Sequence, residues 1–332
     1  MTKPFVQGIG LFSGGLDSLL SLYLLLEQGL KVEAMHAVLP VHRPGLRAWV
    51  EQAAARLGVP LYLITLEEEF FEILRHPRHG YGSGMNPCLD CHILLLRRAA
   101  ERMRAVGASF VFTGEVLGER PMSQHLSALQ LVERKSGLQG RLLRPLSARL
   151  LPPTIPEEEG LVDRSRLLDI RGRSRRVQLE LARRYGLSDF PTPAGGCMLT
   201  DPGLSRRVRD LLQHRPNFSR SDFDLLRVGR HFRLSPEVKA VSGRNREENA
   251  RLLELVEEGD LLLEVRGMGS PITLLRGPAD EGVLRLAAAI TARYSDARTS
   301  PVRVHYGARY PELEGSQEVE PAAEELLTRL RI

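Results

Sequence analysis

The chain has 332 residues, of which 42% are hydrophobic and 26% are charged, and this length and composition predict a soluble globular protein of two domains. No stretch is apolar over the length that a membrane span needs, and residues 1–10 lack the apolar core of a signal peptide. We therefore expect a cytoplasmic protein with no membrane partner. The formal net charge of +5 and the isoelectric point near 9.3 suit a polyanionic partner.

The segment Ser13–Ser18, with the sequence SGGLDS, lies between an apolar strand predicted over Phe5–Phe12 and an apolar helix predicted over Leu19–Leu26. Paired glycines allow a sharp turn and let a ligand approach the backbone closely. The free N–H groups that open a helix favour an anion. No lysine follows the glycines, which distinguishes this loop from the phosphate loop of kinases and GTPases. We therefore predict a phosphate-binding loop of another kind.

Further strands and helices follow at the spacing of an α/β domain. The predicted strands are Lys31–Leu39, Pro60–Leu66, Phe110–Phe112 and Leu142–Leu146, and the predicted helices are Pro44–Gly58 and Ile93–Val106. This alternation indicates a Rossmann-like parallel sheet with helices on both faces and with ligands at the carboxyl ends of the strands. The second motif, Thr113–Gln124, should therefore face the same crevice as the loop. His36, near the end of the second strand, is predicted as an adenine neighbour.

The middle of the chain is less regular. Leu151–Glu159 is rich in proline and indicates a loop or hinge, whereas Arg164–Tyr185 indicates a basic amphipathic helix. Pro191–Pro202 is rich in turn formers, and a helix is predicted around Leu204–Leu212.

The last third of the chain has short strands and helices that predict a smaller α+β domain. Its predicted strands are Phe223–Val228, Val238–Val241, Leu261–Val265, Ile272–Leu275 and Val302–Tyr306, and its predicted helices are Arg246–Glu257 and Glu281–Tyr294. The predicted organisation is a first domain over residues 1–212, a linker over 213–219, a second domain over 220–310 and an acidic helical tail over 311–332.

The three cysteines, Cys88, Cys91 and Cys197, lie in segments rich in glycine or proline, which predicts a chemical role rather than a place in the core. Their odd number argues against a disulfide framework. Four chemistries stay open: c-type haem attachment at the CxxCH pattern, zinc with His92 as a fourth ligand, a [4Fe-4S] cluster with one open iron, and a persulfide-carrying pair of Cys91 and Cys197.

The loop Ser13–Ser18 resembles the S-G-G-x-D-S signature of the PP-loop ATP pyrophosphatases, which bind the pyrophosphate of ATP and adenylate an oxygen of a second substrate. With the T-G-E-x-L-G…S-Q segment and the cysteines, it makes residues 5–212 similar to tRNA 4-thiouridine synthases and 2-thiouridylases. The resemblance implies the adenine nucleotide α hydrolase type of fold, and ATP and Mg²⁺ as cofactors. It also implies Cys91 and Cys197 as the activating cysteine and its partner. The additional Cys88 resembles cluster-bearing relatives and favours the [4Fe-4S] cluster.

A second resemblance lies in the last third. Gly243–Asn245, followed by Glu247–Asn249 and Asp260–Val265, resembles the G-R-N…E-N…D-x-W-x-H pattern of the NFACT-R RNA-binding domain, which implies contact with RNA. Leu262 and Glu264 replace the aromatic residue and the histidine of that pattern. The alternative is that Gly243–Asn245 is only a helix entry, with Asn245 as the cap.

The expected function is ATP-dependent tRNA thiolation, in which a nucleobase carbonyl oxygen is adenylated and a sulfur nucleophile then displaces AMP. Two alternatives stay open: a PP-loop ligase that adenylates a small carboxylate or carbonyl compound for amidation, and a non-catalytic RNA-binding or sulfur-relay protein. The expected partners are tRNA and a sulfur donor, either sulfide or a persulfide carrier such as a cysteine desulfurase. A second copy of the chain is a further candidate.

The predicted site residues fall into four groups. The predicted catalytic residues are Asp17, Cys91 and Cys197, and the predicted metal ligands are Cys88, Cys91 and Cys197. The predicted nucleotide contacts are Ser13, Gly14, Gly15, Leu16, Asp17, Ser18, His36, Gly114 and Glu115. The predicted RNA contacts are Arg120, Gln124, Arg171, Arg173, Arg175 and Arg176.

Overall fold

A computed structural model describes residues 6–187, 190 and 197–332. The chain divides into two compact units, an N-terminal unit over Met1–Thr200 and a C-terminal unit over Asp201–Ile332. The helix at Pro202–His214 therefore belongs with the C-terminal unit, whereas the sequence placed it at the end of the first domain. Of the predicted turn-rich segment, residues 191–196 lie outside the described residues. No helix of the described ranges is long and apolar enough to cross a membrane.

The N-terminal unit is built on a five-stranded parallel sheet with the order β3-β2-β1-β4-β5. Its strands are β1 (Gly8–Leu11), β2 (Val32–Val38), β3 (Leu61–Thr65), β4 (Phe110–Phe112) and β5 (Leu142–Leu143). The chain runs outward from β1 to β3 and then returns to place β4 on the other side of β1. This reversal opens a crevice at the carboxyl ends of β1 and β4, where ligands of such sheets bind. The predicted Rossmann-like sheet is confirmed.

Helices cover both faces of this sheet. They are α1 (Leu16–Leu26), α2 (Leu46–Leu57), α3 (Glu68–Arg75), α4 (Cys88–Val106), α5 (Leu126–Ser136), α6 (Ile155–Glu158) and α7 (Arg176–Arg184). One core packs α1 and α2 against the ring faces of Phe110 and Phe112, and the other packs α4 against Ile9 and Val111. Gly10 in β1 leaves room for Phe112, because a Cβ atom there would lie 2.4 Å from that ring.

Helix α4 begins five residues earlier than predicted, so Cys88 and Cys91 lie in its first turn and not in a loop. The prediction for these two cysteines was wrong. Pro87 stands immediately before the helix, and the Cys91 amide already donates a hydrogen bond of 2.8 Å to the Pro87 carbonyl oxygen. Asp90 adds a carboxylate where the helix dipole favours negative charge.

Two predictions for the middle of the chain also need correction. The predicted loop at Leu151–Glu159 contains the short helix α6, because Thr154 and Glu157 form a reciprocal capping box. The predicted helix at Arg164–Tyr185 is α-helical only from Arg176 to Arg184, and its first residues, Arg164–Arg166, form a single 3₁₀ turn. Before Arg176, Gly172 has a φ of 83°, which no helix accommodates, and Arg171 forms a parallel β-bridge with Leu117.

The C-terminal unit contains a six-stranded antiparallel sheet with the order β11-β10-β8-β9-β7-β6. Its strands are β6 (Arg230–Arg233), β7 (Lys239–Ser242), β8 (Leu261–Glu264), β9 (Thr273–Arg276), β10 (Val302–Gly307) and β11 (Gly315–Val319). Its helices are α8 (Pro202–His214), α9 (Arg220–Leu225), α10 (Arg246–Glu254), α11 (Glu281–Arg293) and α12 (Glu324–Leu330). Residues of α11 and α12 pack with one set of strand residues, and residues of α9 and α10 pack with another set. The predicted α+β class is confirmed.

Three details of this unit differ from the prediction. Phe223–Val228 was predicted as a strand, but the Ser219–Asp222 capping box begins helix α9 there. Strand β6 was missed because its sequence, RHFR, is mostly polar. The predicted acidic tail is part of the fold, because β11 pairs with β10 and Leu327 of α12 is fully buried.

Lys239 in β7 is a buried cation that shares the carboxylate of Asp210 with Arg233. Its ammonium nitrogen lies 3.6 Å from Asp210, and the Arg233 guanidinium makes two shorter contacts with the same carboxylate. Burial lowers the pKa of Lys239 to about 8. The charged form is therefore less stable in the folded state than in the unfolded chain.

We expect Lys239→Met to raise the free energy of unfolding at pH 7 by about 1–3 kcal/mol, since a well-packed apolar side chain removes the cost of burying the charge. This cost is complete below pH 8 and is lost as the pH rises toward the unfolded pKa of 10.5, so the gain should shrink between pH 8 and 10.5. Urea unfolding followed by circular dichroism measures it, with Lys135→Met on an exposed helix position as the control. A less stable Lys239→Met variant at pH 7 would contradict the prediction.

Candidate active site

The loop Ser13–Ser18 connects the carboxyl end of β1 with the first turn of α1. Gly14 has a φ of 83°, and a side chain there would be strained. The Ser18 hydroxyl donates to the Gly15 carbonyl oxygen over 2.8 Å, and the Gly15 amide donates to the Ser13 hydroxyl over 3.3 Å. In the described part of the chain, no side chain caps the start of α1. Its first N–H groups are therefore available to an anion.

A cavity of about 720 Å³ lies beside this loop, within the N-terminal unit. Its walls combine the loop residues, an apolar side with Leu39, Val41, Leu46 and Trp49, and the three cysteines. The volume is in the range of cavities that hold a nucleotide-sized ligand. A phosphate-binding loop and three thiols thus share one cavity.

The second motif lies directly against the loop. A Cβ atom at Gly114 would lie 2.4 Å from the Ser18 amide nitrogen and 2.5 Å from the Asp17 carbonyl carbon. The Ser21 hydroxyl donates to the Thr113 carbonyl oxygen over 3.3 Å and joins α1 to the end of β4. The prediction that the two motifs face one crevice agrees with this packing.

Glu115 is buried and fully engaged with protein groups. Its carboxylate accepts hydrogen bonds from His92 Nδ1 and Arg144 Nε, each over 3.0 Å, and from the Thr113 hydroxyl over 3.1 Å. Burial alone would raise the pKa of Glu115, but the Arg144 guanidinium and the hydrogen bond from His92 outweigh it and lower the pKa to about 2. The carboxylate is therefore charged at neutral pH and orients His92 at the cavity wall.

Asp17, Glu119 and Arg175 form a second charged group. Several hydrogen-bonding atoms of this group have no partner among the described residues. Arg175 Nη1 donates to Asp17 Oδ2 over 2.7 Å and also to Glu119 Oε1. Asp17 Oδ1, Glu119 Oε2 and two Arg175 nitrogens are buried without a hydrogen-bond partner among the described residues. Burial and the Glu119 carboxylate raise the pKa of Asp17 to about 6 despite the nearby guanidinium.

Oxygen ligands are what Mg²⁺ prefers, and two buried carboxylate oxygens without partners are groups that such a cation could satisfy. Asp17 and Glu119 therefore fit the Mg²⁺ that the PP-loop resemblance implies. Glu119 was not predicted as a site residue, although it lies inside the second motif. The sequence signal for it was only its position between Thr113 and Gln124.

Cys88, Cys91 and Cys197 all line the cavity, and none is in a disulfide. Burial raises the pKa of the Cys91 thiol strongly, and the other two cysteines add to this effect. Burial likewise raises the pKa of Cys197 to about 11. Three neighbouring thiolates would therefore need a compensating positive centre.

The described residues form no ready-made site for a single zinc ion. His92, the predicted fourth ligand, is bonded to Glu115 through Nδ1, which leaves Nε2 for a metal. Within residues 6–187, 190 and 197–332, no three histidine, cysteine, aspartate or glutamate side chains converge on one ion position. Thiolates are the ligands that iron–sulfur cores take, and the three cysteines line one cavity.

The remaining predicted residues are placed as follows. Arg120 and Gln124 line the cavity, but His36 does not. His36 is buried beneath it with Nδ1 2.8 Å from the Phe12 carbonyl oxygen, and His42 takes the place at the wall. The predicted RNA contacts Arg171, Arg173 and Arg176 are exposed, whereas Arg175 points to Asp17.

Comparison with known families agrees with this geometry. Residues 5–149 match the family described as thiamine biosynthesis protein (ThiI), and residues 229–331 match the family described as NFACT protein RNA binding domain. The N-terminal unit thus contains a segment similar to the ThiI family, which we call the ThiI-type segment. Both resemblances predicted from the sequence are thereby confirmed. The ThiI-type segment includes the loop, the first two cysteines and the second motif, and Cys197 lies beyond it.

Several curated relatives are similar to this segment. They include the tRNA-specific 2-thiouridylase MnmA of Sulfurimonas denitrificans, 32% identical over 126 residues, which are 35% of this chain and 36% of the relative. The MnmA of Nitratidesulfovibrio vulgaris (strain Miyazaki F) is 34% identical over 31% of this chain and 32% of its own length. The chain thus spans about a third of the length of these relatives.

Among solved structures, a 4-thiouridine synthetase–RNA complex with bound ATP is similar, with a TM-score of 0.41, 19% identity, and coverage of 66% of this chain and 53% of that chain. A predicted subunit of a tRNA methyltransferase from Methanocaldococcus jannaschii has a TM-score of 0.32 and 23% identity, over 42% of this chain and 67% of that one.

We expect Gly114→Ala to lower the free energy of unfolding of the N-terminal unit by about 1–3 kcal/mol, because the added methyl group meets backbone atoms that cannot rotate away. Trp49, the only tryptophan, reports unfolding of this unit through its fluorescence. The control is Gly15→Ala, where the nearest atom is the Ser13 hydroxyl oxygen at 3.4 Å and a change below about 1 kcal/mol is expected. Equal stability of the two variants would contradict the close approach.

Proposed function

We propose that the protein thiolates tRNA in an ATP-dependent reaction: it adenylates a nucleobase carbonyl oxygen and replaces that oxygen with sulfur. The observation that carries the proposal is the single cavity that holds both the phosphate-binding loop and three thiols. The similarity to tRNA-specific 2-thiouridylases supports the same chemistry. The match of residues 229–331 to an RNA-binding domain supports an RNA substrate over a small molecule.

ATP would place its phosphates on the loop and on the first N–H groups of α1. The apolar wall around Leu46 and Trp49 would receive the nucleoside. Before ATP binds, Asp17, Glu119 and Arg175 together carry a net charge of −1, which repels a triphosphate. Asp17 and Glu119 would hold Mg²⁺, whose positive charge would offset this repulsion.

Arg175, which pairs with both carboxylates through Nη1, would donate its remaining N–H groups to phosphate oxygens. Its Nε and Nη2 are unused among the described residues. The planar fork of an arginine suits phosphate oxygens well. Arg175 would thus hold the site together before ATP binds and hold the departing pyrophosphate afterwards.

The proposed reaction has two steps, and each step forms one bond while another bond breaks. The base carbonyl oxygen bonds to the α-phosphorus while the bond to pyrophosphate breaks. A sulfur nucleophile then bonds to the base carbon while the carbon–oxygen bond to AMP breaks, because AMP leaves far more readily than hydroxide. The cysteines lie in the same cavity as the loop and would present this sulfur.

We further propose that Cys88, Cys91 and Cys197 hold a [4Fe-4S] cluster, whose fourth iron supplies a position for sulfide. The support is the number of thiols and the burial that disfavours free thiolates. The sulfur donor would be sulfide itself or a persulfide carrier. The rival arrangement is a persulfide-carrying pair of Cys91 and Cys197, which leaves Cys88 without a chemical role.

We expect the purified full chain to form thionucleoside in tRNA when given ATP, Mg²⁺ and sulfide, as measured by mass spectrometry. Arg175→Ala should lower tRNA-dependent pyrophosphate release about 10- to 100-fold, since it removes charge-assisted hydrogen bonds worth about 1.5–3 kcal/mol. Arg183→Ala, at an exposed position of the same helix α7, should leave the rate unchanged. Pyrophosphate release without RNA would favour the amidating ligase, and RNA binding without turnover would favour the non-catalytic alternative.

For the cluster, we expect brown protein after anaerobic purification, with about four irons and four sulfides per chain. Cys88→Ser should lose the colour, the iron and the thiolation activity together, because each thiolate holds one iron. The electron paramagnetic resonance spectrum of the reduced protein gives a readout that does not depend on turnover. An active, metal-free protein in which Cys88→Ser is harmless would show the persulfide pair instead.

A further inference from the structure

Three arginines of the C-terminal unit gather at one end of the β6–β7 pair. Arg230, the first residue of β6, lies opposite Ser242, the last residue of β7. Its Nη1 donates to the Gly243 carbonyl oxygen over 3.1 Å. Arg207 of α8 reaches the same end, where its Nη1 donates to the Leu226 carbonyl oxygen over 2.8 Å.

Arg244 is the third of them, and Glu248 fixes it in place. The Glu248 carboxylate accepts one hydrogen bond from the Arg244 amide and another from the Arg244 side chain, each over 2.8 Å. It also accepts a hydrogen bond from the Gly229 amide. The Glu248 side chain is only 15% exposed, whereas the Arg244 side chain is 50% exposed. The carboxylate therefore lies inward and the guanidinium faces solvent.

Positive charge is in excess at this end of the sheet. Arg206 of α8, also exposed, joins Arg207 and Arg244, and the nearby acids are Asp201 and Glu248. Burial lowers the pKa of Arg207, and the positive charges of Arg244 and Arg206 lower it further. We name Arg206, Arg207, Arg230 and Arg244 the arginine cluster; Asp201 and Glu248 are the acids that act on Arg207 within it.

Strand β8, which resembles part of the NFACT-R pattern, cannot stack a base at the position of the aromatic residue in that pattern. Leu262, at the position of the aromatic residue in the NFACT-R pattern, is 2% exposed and packs in the core with Leu252 and Leu274. Stacking of a base on this side chain is therefore excluded by its burial. Asn245 also caps helix α10, which was the alternative explanation of Gly243–Asn245. Its side-chain oxygen accepts a hydrogen bond from the Glu248 amide.

We infer that the arginine cluster is the RNA-binding surface of the C-terminal unit and that it contacts backbone phosphates rather than bases. Guanidinium groups bind phosphate through paired hydrogen bonds, and excess positive charge is what a polyanion requires. Residues 229–331, which contain Arg230 and Arg244, match an RNA-binding domain. The inference rests on the proposed function for its choice of tRNA, and it predicts binding that is strong at low salt and insensitive to sequence.

The experiment measures the affinity of the full chain for unmodified tRNA at several KCl concentrations by fluorescence anisotropy. The Arg206→Ala/Arg244→Gln variant should reduce the slope of log K against log [KCl] by about 2, because each lost phosphate contact removes about one released counterion. Arg244→Lys keeps the charge and should keep the slope. The matched control is Arg303→Ala, an exposed, ion-paired arginine on β10, three strands from β7.

An unchanged slope in the double variant, or an equal loss in Arg303→Ala, would overturn the inference. Arg206→Ala alone is the control for misfolding, because this side chain is exposed. The variant should keep the unfolding temperature of the wild type and reduce the slope by about 1. Thionucleoside formation is measured separately at saturating tRNA. Protein that binds tRNA through the cluster but forms no thionucleoside would contradict the proposed function and leave this inference standing.

Discussion

The close contact between Gly114 and the backbone of Asp17 and Ser18 is the constraint on which the site depends. It brings the end of β4 against the start of α1 with no side chain between them. Everything that follows Gly114, including Glu115 and Glu119, is therefore placed relative to the phosphate loop by backbone contact. A larger residue would separate the two segments, and with them the charges that must act on one ligand.

The two charged groups beside this contact differ in how well they are satisfied. Glu115 has hydrogen-bond partners for both carboxylate oxygens, and its network with Arg144 and His92 forms a rigid part of the wall. Asp17, Glu119 and Arg175 instead keep buried atoms without partners among the described residues. Unsatisfied buried polar atoms are costly in a finished structure. Of the second group, Asp17 lines the cavity, and this group gains most when a charged ligand arrives.

The sequence allowed the parallel sheet and both motifs to be predicted, because strand and helix periods alternate clearly and glycines stand where the backbone needs them. The errors have local causes. FDLLRV at Phe223–Val228 fits a strand and a helix equally well, and only the Ser219 cap decides between them. The arginine run was read as one helix because the effect of Gly172 depends on the distant bridge between Arg171 and Leu117. Arg175 pairs with Asp17, which is 158 residues away along the chain, so no local sequence pattern predicts this pair.

The early start of α4 changes the electrical surroundings of the sulfur atoms. Cys88 and Cys91 lie in the first turn of a 19-residue helix, where the aligned peptide dipoles place partial positive charge. Burial opposes negative charge on the Cys91 sulfur, and the helix end favours it. In a loop, the Cys91 thiol would have only the first of these influences. Here the fold itself supplies part of the counter-charge, and so it tunes how readily the Cys91 sulfur gives up a proton or accepts an electron-poor partner.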